Sequence, residues 1–236
     1  MKIAMVHGQN HKGTTCHVGR MLAKKLGGEV KEFFLPRDFG EFCVGCTACF
    51  MQTEKKCPHY EKLEPLTNAL EAADVIILTS PVYVFHSTGP MKAWLDHYGY
   101  QWMVHRPNPA MFQKQAVCIA TAAGAGMRSA CKDMADSLFF WGVPKIYRCK
   151  IAAFATSYKG VSDKKKREID RKTSEIAAKI KRNAGRVRPG ILTKGFFWMM
   201  RMANKRGGFN PADKEYWKSM GWLGRRRPWR RKANKN

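Results

Sequence analysis

The clearest indication of the fold class is the segment Asp74-Val75-Ile76-Ile77-Leu78-Thr79-Ser80. Four consecutive aliphatic side chains leave this segment without a polar face for solvent. A continuous apolar run is typical of a parallel strand that helices cover on both sides. Residues 74–80 are therefore predicted to form the central strand of an α/β sheet.

Apolar runs and helical periods alternate on either side of that central strand. Four further strands are predicted at residues 2–7, 29–34, 115–121 and within 143–153. Helices are predicted at residues 15–27, 61–73, 89–98, 126–141 and 162–182. Five strands separated by helices predict a doubly wound parallel sheet over residues 1–184, in which ligands bind beyond the carboxyl ends of the strands.

The composition favours an intracellular globular protein. Hydrophobic residues make up 44% of the 236-residue chain, which is enough for a sizeable core. Residues 1–8 lack the apolar run and cleavage site of a secretory signal, and no window approaches the ~18 apolar residues of a membrane span. We therefore expect a cytoplasmic location, where the eight cysteines are thiols or metal ligands rather than disulfides.

The loop after the first strand reads Gly8-Gln9-Asn10-His11-Lys12-Gly13-Thr14-Thr15-Cys16 and leads into a helix. Its glycines let backbone N–H groups approach a phosphate, the hydroxyls of Thr14 and Thr15 can donate, and the helix N-terminus favours negative charge. The loop matches neither a Walker motif nor a GxGxxG fingerprint, which argues against a triphosphate or a dinucleotide. An ordinary polar turn in which Thr14 caps the helix is the alternative interpretation.

Two more loops lie at the predicted carboxyl edge of the sheet. The central strand is followed by Ser80-Pro81-Val82-Tyr83-Val84-Phe85-His86, whose aromatic rings offer flat surfaces to a planar ligand. The fourth strand is followed by Thr121-Ala122-Ala123-Gly124-Ala125-Gly126, whose small residues allow close backbone contact. Singly, each loop is better explained by aromatic packing under a helix or by a plain turn. Together with the first loop, they predict a site for a flat, phosphorylated ligand.

Four of the eight cysteines cluster in the irregular segment 36–60. Cys43, Cys46, Cys49 and Cys57 have the spacing C-x2-C-x2-C-x7-C. Two-residue gaps let a loop present successive thiolates to different irons, and a more distant cysteine can complete the ligation of a 4Fe–4S cluster. Zinc usually takes two separated cysteine pairs. A zinc site and unligated or redox-active thiols stand as the alternatives to a cluster.

These motifs resemble those of the NADPH-dependent FMN reductase and iron–sulfur flavoprotein branch of the flavodoxin-like superfamily. Residues 8–13 are similar to the phosphate loop of that branch, with Gln9 in place of its serine and His11 in place of its arginine. Residues 80–83 and 89–96 look like its flavin-ring loop and the helix that follows. The cysteine group is similar to the compact motif of the iron–sulfur flavoproteins.

The resemblance covers about residues 1–155 and implies a flavodoxin-like fold, bound FMN and a nicotinamide co-substrate, NADH or NADPH. Hydride would pass from the nicotinamide to N5 of the flavin, a step that needs no acid or base from the protein, so no catalytic residue is predicted. The implied cofactor-binding residues are Gly8, Gln9, Asn10, His11, Gly13, Thr14, Thr15, Cys16, Ser80, Pro81, Val82, Tyr83, Val84, Phe85, Thr121, Ala122, Ala123, Gly124 and Gly126.

The leading functional prediction is an FMN-dependent NAD(P)H oxidoreductase that passes electrons to an acceptor, with a 4Fe–4S cluster on the four cysteines. One alternative is a non-enzymatic electron carrier that takes electrons from a protein partner. Another is a basic binding protein that has kept the fold and lost the flavin, for which Gln9 and His11 are the best hint. Related flavoproteins are often oligomers, so self-association is expected by analogy.

Residues 185–236 form a basic, aromatic C-terminal extension. It holds 15 lysines and arginines against two acids, which is about half of the net charge of +25. Three interpretations stay open: an arm that packs Phe196, Trp198 and Trp217 on the main domain or a second subunit, a segment attracted to anionic membrane lipid, and a nonspecific nucleic-acid binder. No recognition motif supports the last of these. Disorder is predicted for residues 224–232.

Overall fold

The computed structural model describes residues 1–155 and 157–230, in which five parallel strands form one sheet. The strands are β1 (Lys2–His7), β2 (Glu29–Phe34), β3 (Val75–Pro81), β4 (Gln115–Ala122) and β5 (Lys145–Ala152). They are hydrogen-bonded in the order β2-β1-β3-β4-β5. The direction of strand addition therefore reverses between β1 and β3, which is where ligands bind in open α/β sheets.

Helices connect the strands and continue into the C-terminal extension. Their bounds are α1 (Thr14–Leu26), α2 (Ala48–Met51), α3 (Tyr60–Ala72), α4 (Gly89–Asp96), α5 (Met127–Phe140), α6 (Asp163–Arg182), α7 (Ile191–Lys205) and α8 (Pro211–Ser219). Short 3-10 turns lie at Glu54–Lys56, Gly99–Gln101 and Pro109–Gln113. Segment 36–60, predicted to be irregular, contains the single-turn helix α2 and the 3-10 turn Glu54–Lys56, and its last residue begins α3.

The sheet is covered on both faces. On one face, Leu22 of α1 and Ile169 of α6 lie in the same apolar core as Ile77 of β3. On the other face, helices α3, α4 and α5 contribute a second core that includes Trp94 and Leu138. All side chains of Val75–Leu78 are buried, as the apolar run at residues 74–80 predicts for a central strand. The predicted doubly wound, flavodoxin-like fold is confirmed.

The C-terminal extension builds a third apolar core. Phe197 of α7 and Trp217 of α8 are buried with Trp222 against Phe112, which precedes β4. Trp229 also contacts Phe197, with ring centroids 5.0 Å apart. The part of the predicted disordered end up to residue 230 thus includes a packed side chain, and residues 231–236 lie outside the described residues. None of the described helices is long and apolar enough to cross a membrane.

Candidate functional site

The first loop ends at a helix N-terminus that has no side-chain cap. Gly13 is the N-cap residue of α1, and the first turn of the helix holds no acid. The hydroxyl of Thr14 is buried and finds no hydrogen-bond partner among the described residues. Uncapped backbone N–H groups beside an unpaired hydroxyl suit an anion. The alternative in which Thr14 caps the helix is wrong, because Gly13 occupies that position.

Hydrogen bonds join the three predicted loops to one another. The hydroxyl oxygens of Thr15 in the first loop and Thr121 in the third lie 2.5 Å apart. The N–H of Val82 in the second loop donates to the carbonyl of Thr121 at 2.8 Å. The side-chain amide of Gln9 donates to the hydroxyl of Tyr83 at 3.1 Å. The structure therefore brings residues of all three loops together at the carboxyl edge of the sheet.

The second loop presents apolar side chains to solvent on a strained turn. Tyr83 and His86 exchange backbone hydrogen bonds of 3.0 Å and so close a two-residue turn around Val84 and Phe85. Both central residues have positive φ, 47° and 65°, which non-glycine residues rarely adopt. Their side chains are 93% and 64% exposed, so Phe85 does not pack under the next helix. Exposed apolar surface on a strained backbone is the arrangement expected where a ligand makes contact.

The third loop depends on a glycine where it meets the second. Gly126, the N-cap residue of α5, has a φ of 89°. A Cβ at this position would lie 2.5 Å from Cγ1 of Val82 and 3.1 Å from Cα of Phe85. Only glycine therefore combines this backbone conformation with so close an approach of the two loops. Ala123 and Gly124, which precede it, are exposed and leave the backbone open to a planar ligand.

A small pocket of about 10 Å³ lies between the first two loops, beyond the ends of β1 and β3. Its lining residues are His7, Gln9, His11, Gly13, Thr15, Cys16, Thr79 and Pro81. None of these side chains is acidic, and the nearby carboxylate of Glu32, within 4.8 Å of His7 and Cys16, is paired with Arg20. The pocket is smaller than FMN, so the cofactor would lie over the loops around it, where the uncapped N-terminus of α1 suits its single phosphate and the exposed turn at residues 83–86 suits its flat ring.

Two buried polar residues support the pocket and were not predicted from the sequence. Thr88 donates its hydroxyl to the carbonyl of Gly8 at 2.6 Å, and its own N–H donates to the hydroxyl of Ser80 at 3.0 Å. His7 lies 2.8 Å from the hydroxyl of Thr79 through Nδ1. A threonine directly before the Gly89-Pro90 helix start is a recognisable N-cap signal, but its contact with the first loop has no local signature.

The same histidine is linked to a charged pair on the neighbouring strand. Nε2 of His7 lies 2.8 Å from a carboxylate oxygen of Glu32. The side chain of Arg20 donates one hydrogen bond to each oxygen of the same carboxylate. Burial lowers the pKa of His7, and this effect outweighs the opposing influence of Glu32. His7 is therefore a neutral ring that holds the ends of β1, β2 and β3 together beneath the first loop.

Cys16 is a buried thiol and not an activated one. Its place at the start of α1 suggests a lowered pKa, because a helix N-terminus favours the thiolate. Burial instead raises the pKa of Cys16. The residue therefore forms a small apolar wall of the pocket.

The cysteine loop lies between β2 and α3. Cys43 and Cys46 are exposed, and Cys49 and Cys57 are half-buried. Burial, followed by the charges of the other three thiols, raises the pKa of Cys49 to about 11. In the described chain no three of these sulfur atoms lie within 4.8 Å of one another, whereas sulfurs around one zinc ion are roughly 4 Å apart. The other three thiols are close enough for their charges to act on Cys49.

An arginine that the sequence analysis did not single out braces this loop against the C-terminal extension. Arg106 is buried and donates to the carbonyls of Cys49 and Phe50, the latter at 2.9 Å. It also donates to the carboxylate of Asp213 in α8 at 2.9 Å. Nδ1 of His105 lies 2.7 Å from the other oxygen of the same carboxylate. The backbone of the cysteine loop is therefore held by an ion pair that the extension completes.

A second small group of donors adjoins the loop. Sγ of Cys57 and ring nitrogens of His59 and His97 lie within 4.8 Å of one another. Nδ1 of His59 is 2.9 Å from Nε2 of His97, and Nδ1 of His97 is 2.8 Å from the carbonyl of Ala93. The two histidines thus link the last cysteine of the group to the C-terminal turn of α4.

Comparison with known proteins gives a consistent assignment. Residues 1–156 match the family model described as NADPH-dependent FMN reductase. An iron-sulfur flavoprotein of Archaeoglobus fulgidus is 24% identical over 205 residues, which cover 84% of this chain and 86% of that protein. An iron-sulfur flavoprotein of Methanosarcina thermophila is 27% identical over 145 residues, or 60% of this chain and 72% of that protein.

Solved structures share the fold at lower identity. A flavone reductase superposes with a TM-score of 0.56 at 18% identity, covering 80% of this chain and 66% of its own. An azoreductase from Bacillus anthracis superposes with a TM-score of 0.55 at 14% identity, covering 76% of this chain and 98% of its own. Since the family model spans more than half of the sequence, this chain belongs to the NADPH-dependent FMN reductase family.

Proposed function

We propose that this chain is a cytoplasmic FMN-dependent NAD(P)H oxidoreductase that passes electrons from a nicotinamide nucleotide through FMN to an acceptor. The observation that carries the proposal is that hydrogen bonds join the three loops to one another at the point where the strand order reverses. The uncapped N-terminus of α1 and the unpaired hydroxyl of Thr14 supply donors for a phosphate. Family membership supports the same cofactor.

Each loop has a separate task in this proposal. The backbone N–H groups of residues 9–15 and the hydroxyls of Thr14 and Thr15 bind the phosphate. The turn at Tyr83, Val84 and Phe85 covers one part of the flavin ring and excludes water from it, while residues 121–126 approach its edge with backbone groups. Bound FMN accepts hydride and releases electrons singly, so the protein's work is to bind, orient and shield the ring.

The finer part of the proposal is a 4Fe–4S cluster held by Cys43, Cys46, Cys49 and Cys57. The sequence spacing of the four cysteines suits a cubane, and they are not arranged as the two separated pairs that zinc usually takes. Relatives named iron-sulfur flavoproteins support it by analogy. The raised pKa of Cys49, about 11, means that iron must displace a proton from this thiol when it binds.

Anaerobic purification followed by analysis of flavin, iron and acid-labile sulfide tests both parts. The proposal expects one FMN, four irons and four sulfides per chain, with steady oxidation of NADH or NADPH in the presence of an artificial acceptor. Flavin and iron without turnover of either nicotinamide would indicate the electron carrier instead. A chain that binds no flavin after incubation with excess FMN would contradict the proposal.

Replacing exposed cysteines tests the cluster without endangering the fold. Cys43→Ser and Cys46→Ser alter side chains that lie in solvent, so the free energy of unfolding of the iron-free protein should stay within about 0.5 kcal/mol of wild type. We expect iron per chain to fall at least severalfold in both variants. Cys149→Ala, in the sheet core, is the matched control and should keep its iron. Equal iron in all three variants would place the metal elsewhere.

A further inference from the structure

Helix α7 is apolar on two opposite faces. Its inner face, which carries the buried residues Thr193, Phe197, Met200 and Asn204, packs into the third core. Its outer face also carries large apolar side chains: Ile191 is 90% exposed, Leu192 80%, Trp198 59% and Met199 48%. A surface helix normally turns a polar face to water. Four large apolar side chains exposed on one helix therefore indicate a surface with a partner.

Exposed cations surround this outer face, which is defined here by Ile191, Leu192, Trp198 and Met199. Arg188 precedes the helix, Lys194 lies within it, and Lys205 and Arg206 lie at its end; all four are exposed. Residues 185–236 carry only two acids. Of these, Asp213 is buried in its ion pair with Arg106, and a carboxylate oxygen of Glu215 lies 3.7 Å from Lys218. The rim of the outer face is therefore strongly positive.

We propose that the outer face of α7 docks onto the surface of an anionic lipid bilayer. Tryptophan and aliphatic side chains enter the boundary between headgroups and acyl chains, while lysine and arginine attract anionic headgroups. The cytoplasmic leaflet supplies such headgroups. The contact is peripheral, and it does not depend on the flavin chemistry proposed above.

The two other candidate partners, a second copy of this chain and a nucleic acid, fit the surface less well. A second copy of this chain would bring a matching positive rim against the first, and like charges oppose that contact at each end of the helix. A nucleic acid would satisfy the cations, but its phosphates and sugars give the aliphatic residues Ile191 and Leu192 nothing to bury against. An anionic bilayer satisfies both the charge of the rim and the apolar character of the centre.

The fold presents this face without rearrangement. The ring of Phe197, on the inner face, lies with its centroid 4.8 Å from Trp217 and 5.7 Å from Phe112. The side chain of Arg201 donates to the carbonyl of Trp222 at 2.9 Å. These contacts fix α7 to the body of the protein, so the outer face is preformed and needs no unfolding to reach lipid.

Co-sedimentation of the full-length protein with lipid vesicles tests the proposal. Vesicles of phosphatidylcholine alone are compared with vesicles that contain 30% phosphatidylglycerol, across a salt series. The variant Leu192→Ser/Trp198→Ser removes apolar surface only. The control variant Lys164→Gln/Arg167→Gln removes two exposed charges from α6, away from this face. Light scattering of the same samples reports the oligomeric state.

We expect wild type to partition about tenfold or more in favour of the anionic vesicles, and the apolar variant to lose most of that partition. The control variant should lose less than about twofold, because it keeps the face and its rim. Absence of binding to anionic vesicles at low salt overturns the proposal. So does equal loss in both variants, which indicates unspecific charge attraction, and so does a dimer that becomes monomeric on Leu192→Ser/Trp198→Ser.

Discussion

Thr14 carries the most specific information at the scale of single residues. A buried hydroxyl without a hydrogen-bond partner among the described residues is costly, because it has lost water and gained nothing in return. Because it lies at the uncapped start of α1, we propose that a phosphate oxygen of the cofactor is its partner. The energetic cost of the unpaired hydroxyl in the free protein would then be recovered when the cofactor binds.

Thr14→Val should weaken FMN binding while leaving the fold intact. Valine has the shape of threonine without its donor, and a hydrogen bond to a charged group contributes about 1.5–3 kcal/mol, or about 10- to 150-fold in affinity. Titration of the cofactor-free protein with FMN, followed by flavin fluorescence, measures the change. Thr193→Val, a buried threonine in α7, is the control and should bind FMN as wild type does. Unchanged affinity in Thr14→Val would remove this residue from the phosphate site.

His7 should make the stability of the fold depend on pH just below neutrality. Burial lowers its pKa, so the folded protein holds the neutral ring while the unfolded chain takes up a proton below its ordinary pKa of 6.5. The unfolded state therefore gains protons first, and the free energy of unfolding falls as the pH drops through 6.5, by at most about 1.4 kcal/mol per pH unit for one proton.

Urea denaturation of wild type and His7→Gln between pH 5.5 and 7.5 isolates this contribution. Other histidines with lowered pKa values, His17 and His97, are common to both proteins and cancel in the difference. We expect the variant to lose less stability than wild type as the pH falls. A difference between the two proteins that is constant over this range would mean that His7 does not titrate as its burial requires.

At the scale of elements, a buried ion pair connects the C-terminal extension to the cysteine loop. Asp213 of α8 is fully buried and accepts hydrogen bonds from Arg106 and from the side chain of Asn210. Arg106 in turn holds the carbonyls of Cys49 and Phe50. The backbone that carries the third cysteine is therefore fixed by a helix more than 150 residues later in the sequence.

Asp213→Asn should loosen the cysteine loop. Removing one partner of a buried ion pair costs about 3–5 kcal/mol, because the other charge stays buried without compensation. We expect a lower free energy of unfolding and faster alkylation of Cys49 in the iron-free protein. Glu215→Gln, in the same helix but exposed, removes the same charge and should change stability by less than about 1 kcal/mol.

The buried Cys149 shows whether faster alkylation is local. This core cysteine reacts only when the whole domain opens, so its alkylation rate reports global unfolding. A higher alkylation rate at Cys49 without a matching increase at Cys149 supports a specific role of Asp213 in holding the cysteine loop through Arg106. Parallel rises at both positions would mean that Asp213 stabilises the fold as a whole and has no particular hold on the loop.

Local patterns were enough to predict the strands, the helices that connect them and the loops at the carboxyl edge of the sheet. The apolar run at residues 74–80 and the glycine-containing loops after β1 and β4 carry their signal within a few residues. The turn at Val84 and Phe85 was not predicted in its observed form, because nothing local marks two non-glycine residues for positive φ. The neighbours that hold them there, Val82 and Gly126, meet only in the folded sheet.

At the scale of the whole molecule, the parallel sheet explains why the site exists. Parallel strands end at one edge, and the reversal of order between β1 and β3 leaves a crevice there. That convergence follows from the order of strands and helices, so it could be predicted. Contacts such as Thr88 with Gly8 or Arg106 with Asp213 join residues far apart in sequence, and one sequence holds no pattern that pairs them.

The C-terminal extension also makes long-range contacts that its sequence alone does not identify. Its apolar residues predict burial but not what they bury against, so packing on the domain, on a second subunit or on lipid could not be separated from the sequence. The structure divides these roles between the two faces of α7: Phe197 lies in the third core, and Trp198 lies in solvent. Two adjacent aromatic residues of one helix thus lie in different environments, one in the protein core and one in solvent.

A crystal structure of the protein grown with FMN tests the central claim most directly. The claim predicts the phosphate against the backbone N–H groups at the start of α1, within hydrogen-bond distance of Thr14, and the flavin ring beside Tyr83, Val84 and Phe85. Flavin bound at any other surface of the molecule, or a pocket that stays without flavin at saturating FMN, would contradict it.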